Sequence, residues 1–162
     1  MRRGPARSRP DGNLTRAAQY ARPVSAGHSI PVVPSIKGIV ESSLYVFDLE
    51  RSVRFYRDTL GFTLISDFGE RGCALHAGGN QVLLLFKKRG SVDIEFPHHG
   101  DGELHVAFAI SAEELPRWQA WLESKGVSFG RKSWQPGSQS LYFRDPDRHL
   151  LELVTPGVWS VY

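Results

Sequence analysis

Residues 41–61, ESSLYVFDLERSVRFYRDTLG, and residues 105–126, HVAFAISAEELPRWQAWLESKG, decide the fold because both follow one plan. Each opens with the alternation of a strand, meets a small polar helix starter, continues as an amphipathic helix and stops at glycine. In the first stretch Ser42, Leu44 and Val46 point one way, and Glu41, Ser43, Tyr45 and Phe47 the other. Asp48 is the expected N-cap, Leu49, Val53, Tyr56 and Leu60 make one helical stripe, and Gly61 supplies the stop. Around the second stretch Leu104, Val106, Phe108 and Ile110 line one face, while His105 shares the other with the small Ala107 and Ala109. Ser111 and Glu114 have the spacing of a capping box, Leu115, Trp118 and Leu122 form the stripe, and Gly126 closes the helix.

Three further strand-like runs follow each helix: 62–67, 73–77 and 81–87 in the first module, 127–131, 138–144 and 149–155 in the second. Each module, 37–89 and 103–157, therefore reads β-α-β-β-β, with a polar link between them. Neither can bury a sheet face alone. The expected fold is α+β, with the paired modules forming a curved mixed sheet around a central cavity and helices on its outer face. A two-fold repeat is expected to bring equivalent positions together at its centre, so that Glu41 and His105, 64 residues apart, share one site.

The formal net charge of +3 is unevenly spread. Residues 1–35 hold Arg2, Arg3, Arg7, Arg9, Arg16 and Arg22 against Asp11 alone, a tail charge of +5 that leaves the remainder at −2. Nothing in the body points to nucleic acid. The tail, 1–36, is rich in Pro, Gly, Ser and Ala, lacks periodicity and reads as a disordered basic segment, with 37–162 as the folded domain. It has no apolar stretch of the secretory kind, and no run anywhere nears the ~20 residues that span a bilayer. The single cysteine, Cys73, lies in an apolar run, reads as a core residue and fits a reducing, cytoplasmic compartment.

Three side chains carry the expected chemistry. Glu152 sits mid-strand beside Leu150 and Val154, where a carboxylate is costly to bury unless paired or metal-bound. Glu41 poses the same question beside Val40 and Leu44, and His105 has room around its imidazole. One imidazole and two carboxylates form an N/O set that suits Mn²⁺, Fe²⁺ or Zn²⁺. The plainer alternatives are a satisfied strand histidine and two solvent-facing glutamates. His98-His99-Gly100-Asp101 is metal-like only in composition, and Trp118 and Trp121 read as packing.

The stretches 43–62 (SLYVFDLERSVRFYRDTLGF), 105–110 (HVAFAI) and 141–154 (LYFRDPDRHLLELV) closely resemble the vicinal oxygen chelate superfamily, over about residues 37–157. That group includes glyoxalase I, fosfomycin-modifying thiol transferases, extradiol dioxygenases and metal-free bleomycin-binding proteins. The resemblance implies metal ligands at Glu41, His105 and Glu152, with Glu41 where many members carry His. It implies a gap at Leu84, where glyoxalase I has a fourth carboxylate. It places Tyr142 as a pocket residue and one carboxylate, Glu41 or Glu152, as a proton shuttle. Arg148 replaces a turn glycine, and His149 faces away from Glu152, outside the ligand set. The expected activity is that of a divalent-metal-dependent lyase, dioxygenase or transferase acting on a small substrate chelated through neighbouring oxygens. The alternative is a metal-free protein that sequesters a drug or toxin. The resemblance also implies a homodimer.

Overall fold

The structure is a computed structural model that describes residues 33–134 and 137–162; of the basic tail, 1–32 lie outside it. Module one runs β1 (Glu41–Val46), α1 (Leu49–Leu60), β2 (Thr63–Asp67), β3 (Gly72–His76) and β4 (Val82–Lys87). Module two runs β5 (His105–Ala109), α2 (Leu115–Ser124), β6 (Phe129–Ser133), β7 (Gln139–Arg144) and β8 (Leu150–Val154). Each makes a four-stranded sheet of the same order, β1-β4-β3-β2 and β5-β8-β7-β6. In both, the first strand is parallel to the last and the other pairs are antiparallel.

The local signals set most element ends. Asp48 accepts the Arg51 amide at 3.0 Å, and Gly61 closes α1 in the left-handed region at φ 72°. The second helix departs from the expected box. The Glu114 amide donates to Ser111 Oγ at 3.3 Å, but the Glu114 carboxylate turns away to Arg117 at 2.6 Å. The reciprocal half of the box is missing, and regular helix begins only at Leu115, where Pro116 sacrifices no hydrogen bond. At the far end the Val127 amide donates to Leu122 O and that of Gly126 to Glu123 O. This C-terminal closure absorbs Val127 and delays β6 to Phe129.

One sheet face of each module feeds a shared core. Leu44, Val46, Leu75, Leu83 and Leu85 meet Leu141, Phe143, Leu151 and Leu153, with Tyr56, Leu60, Leu115 and Leu122 from the helices. Each fully buried leucine contributes about 2 kcal/mol. Cys73 lies in this core, and burial pushes its thiol up to about 11. Native protein at pH 8 is therefore expected to resist a disulfide reagent over hours and to titrate one thiol once denaturant is added. Stoichiometric labelling of native protein within minutes would contradict this packing.

The modules are also joined by polar contacts from the turn between β7 and β8. Asp147 accepts the Phe47 amide at 2.8 Å, Ser52 Oγ at 2.9 Å and Arg51 at 3.3 Å. Tyr56 donates to Asp145 at 2.9 Å, and burial together with that carboxylate holds its phenol well above the usual range. Asp145 also accepts the amides of Asp147 and His149. The Asp-Pro-Asp turn of module two is thus a plug seated on β1 and α1. Among the described residues no helix is long and apolar enough to cross a membrane.

Candidate metal centre and active site

The face of the module-two sheet opposite the core brings His105, Glu152 and Tyr142 together. Glu152 sits between Ala107 on β5 and Tyr142 on β7, its direct cross-strand partners. Ala107 leaves open the space that a larger side chain would fill. His105 Nδ1 lies 3.0 Å from Leu150 O, which can only accept, so Nδ1 carries the proton. In the neutral ring Nε2 is then a bare lone pair, and it faces Glu152 Oε2 at 3.3 Å. Two acceptors meeting head-on require a cation between them, either a proton or a metal ion. A backbone carbonyl on the far nitrogen is also how metal-binding histidines are commonly oriented. His105 is 48% exposed at its side chain and Glu152 only 9%, so the pair opens outward from a buried carboxylate.

The other Glu152 oxygen is fixed from behind. Ser140 Oγ donates to Oε1 at 2.5 Å and in turn accepts the Trp134 indole N–H at 2.8 Å. Tyr142 stacks beside His105, ring centroids 6.3 Å apart, and burial followed by the neighbouring carboxylate pushes its phenol up. It therefore stays protonated at neutral pH and serves as a donor. Lys132 pairs with Ser140 across the β6–β7 hairpin and shares its face, its ammonium 3.6 Å over the Trp134 ring. Alternation groups Ser140 with Tyr142. The Trp134 contact had no signal in sequence, because it depends on how β6 pairs with β7.

Glu41 does not join them within one chain. It is exposed at the start of β1, paired with Val82, and among the described residues no three His, Cys, Asp or Glu side chains converge to hold a metal. The reason is the direction of the seam. His149 touches both Tyr45 and Leu104, whereas Ser42 shares a cleft with Val106 to Ala109. β1 thus runs antiparallel to β5 across the seam, and the starts of the two strands lie toward opposite ends. A two-fold brings equivalent residues together only where the strands cross its axis, so the expectation that Glu41 and His105 meet through the repeat of one chain is not what the chain does.

Leu84 lies on the Glu41 face of module one, between Ser43 and Ala74, buried with Tyr45 and Phe86. β4 offers that face no carboxylate. His98 accepts or donates at Tyr45 Oη, 2.8 Å away, and His99 lies 3.7 Å from Asp101, so this metal-like run disperses. Arg148 joins Arg144 on Glu103, a surface network.

Residues 38–153 match the model of the Glyoxalase/Bleomycin resistance protein/Dioxygenase superfamily. Over 123 residues the chain is 32% identical to metallothiol transferase FosB of Staphylococcus epidermidis, spanning 74% of this chain and 84% of that protein. Glutathione transferase FosA of Serratia marcescens is 32% identical over 111 residues, 68% of this chain and 75% of the relative. Among solved structures, lactoylglutathione lyase from Agrobacterium tumefaciens superposes with a TM-score of 0.73 at 26% identity, covering 78% of this chain and 99% of that one.

Proposed function

Since the chain belongs to the Glyoxalase/Bleomycin resistance protein/Dioxygenase superfamily and is an enzyme of its vicinal oxygen chelate type, we propose that it transfers a small thiol to an electrophile bearing neighbouring oxygens, such as an epoxide. The observation that carries this reading is the His105 lone pair facing the Glu152 carboxylate at 3.3 Å, a pair that a divalent cation satisfies. Glu41, His105 and Glu152 would hold the ion, which is Mn²⁺, Fe²⁺ or Zn²⁺ by the donor set. When bound, such an ion supplies Lewis acidity toward a chelated substrate oxygen. The N/O residues present fit it, with Glu41 coming from a second copy of the chain.

Leu84 supports transfer over a glyoxalase I reaction, because the module-one face lacks the fourth carboxylate. The residues of module two then have separate tasks. Lys132, standing over Trp134 on the face of Ser140 and Tyr142, offers a positive charge to an anionic substrate group. The protonated Tyr142 donates a hydrogen bond to a substrate oxygen. Ser140 fixes Glu152 in place, so Glu41, exposed on its strand, would be the ligand that detaches to take the thiol proton. The relatives named as thiol transferases support the same reaction class.

We place the enzyme in the cytoplasm as a homodimer. Metal quantification on protein purified without chelator, followed by a screen of thiols with epoxides, catechols and 2-oxo aldehydes, tests the reading. One divalent ion per chain with thiol consumed against an epoxide is the expected result. Turnover of a 2-oxo aldehyde hemithioacetal alone would assign a lyase instead, and metal-free protein that binds an aromatic compound tightly without turnover would replace both.

A further inference from the structure

Module two contains a second buried histidine that the site described above does not use. His149 is 1% exposed, and its ring is satisfied on both sides. The Leu104 amide donates to Nδ1 at 3.0 Å, so Nδ1 is unprotonated, and Nε2 must carry the proton it donates to Tyr45 O, 3.0 Å away. These partners are not scattered. Leu104 immediately precedes His105. Tyr45 lies on β1, on the same strand face as Glu41. His149 itself immediately precedes Leu150, whose amide donates to Leu104 O at 2.8 Å and whose carbonyl accepts from the His105 ring.

The backbone of β1 explains why a side chain is needed there. At the two ends of β1, Val40 O and Val46 O accept from β4 and its flank, and carbonyls alternate sides along a strand, so Tyr45 O points away from β4, out of the sheet edge toward the seam. A buried carbonyl without a partner is costly, and among the described residues the His149 ring is the group that meets it. One imidazole therefore contacts β1 and the approach to β5 and belongs to the approach to β8.

We infer that His149 is a positioning residue that fixes the strand bearing Glu41 relative to the strands bearing His105 and Glu152; this rests on the reading of those three as ligands. In a two-fold dimer the spacing between the half-sites of one chain sets both composite sites, so a slip at this ring is felt at each. The ring touches neither substrate nor ion and acts through the backbone it holds.

Two substitutions separate its two bonds. His149→Asn keeps an acceptor near the Nδ1 position and loses the donor to Tyr45, whereas His149→Gln keeps a donor near Nε2 and loses the acceptor for Leu104. In metal-free protein, exchange of the Leu104 amide is expected to accelerate tenfold or more in His149→Gln and to stay near wild type in His149→Asn. Mn²⁺ affinity is expected to fall about 10-fold or more in both, the range seen when an outer-shell partner is lost. The reference is Leu122→Val, a core change in α2 away from the site, which lowers Tm without moving Mn²⁺ affinity. Leu104 exchange that is equal in His149→Gln and wild type, or Mn²⁺ affinities no weaker than that of Leu122→Val, would overturn the positioning role. Wild-type protein that binds no Mn²⁺, Fe²⁺ or Zn²⁺ would overturn the ligand assignment instead, and the exchange arm would still decide what His149 holds.

Discussion

His105→Ala is expected to reduce bound metal from one ion per chain to under about a tenth, with a fall in activity of at least ~100-fold. The change removes the one nitrogen donor of the proposed set and leaves Glu152 held by Ser140 with nothing opposite its outer oxygen. Two carboxylates in a partly open site do not replace an imidazole for Mn²⁺, Fe²⁺ or Zn²⁺. The fold should survive, because the side chain is about half exposed and sits among Ala107 and Ala109 on its strand face. What is lost locally is the bond to Leu150 O, worth about 1 kcal/mol, at a residue that is only partly buried. Elemental analysis beside a thermal melt of the metal-free protein reads both effects. Full metal occupancy in a folded His105→Ala protein would remove His105 from the site, and loss of metal only together with loss of the fold would leave the ligand claim contradicted by its own control.

The sequence carried the faces of the strands better than their meetings. Alternation around Leu44 and Val46 set the core side of β1, and Asp48 and Gly61 bounded α1 where the structure has them, because caps are local chemistry decided within four residues. The same alternation grouped Tyr142 with Ser140 on β7 and Glu152 with Leu150 and Val154 on β8, and the β7–β8 pairing then put both groups on one face. It was silent on three matters. The S-x-x-E pattern did not reveal that Glu114 would prefer Arg117. Nothing local linked Trp134 to Ser140, since a hairpin return decides that contact. Nor did the repeat fix which Glu41 belongs with which His105. Periodicity is a property of one strand, whereas the crossing of β1 and β5 is set by the Asp145–His149 plug on module one, a tertiary contact between residues about a hundred positions apart.

That unresolved partnership gives the second large prediction. Glu41→Ala and His105→Ala proteins are each expected to be nearly inactive alone, yet unfolded and refolded together they should recover about a quarter of wild-type activity. The figure follows from the two-fold symmetry of the proposed dimer. Random pairing makes half of the dimers mixed, and in a mixed dimer one composite site carries both lesions. The other takes Glu41 from the His105→Ala chain and His105 with Glu152 from the Glu41→Ala chain, and is intact. One site in two, in half of the dimers, is a quarter of all sites. Metal content should rise in the same proportion, and two different affinity tags isolate the mixed dimer, in which half of the sites should then be active. A site closed within one chain predicts no recovery at any mixing ratio, because every chain would carry a broken set. Such an outcome would require β1 and β5 to meet at their starts, which the bridge from His149 to Tyr45 and Leu104 does not permit without breaking, so recovery in the mixed dimer and an intact His149 ring stand on the same geometry.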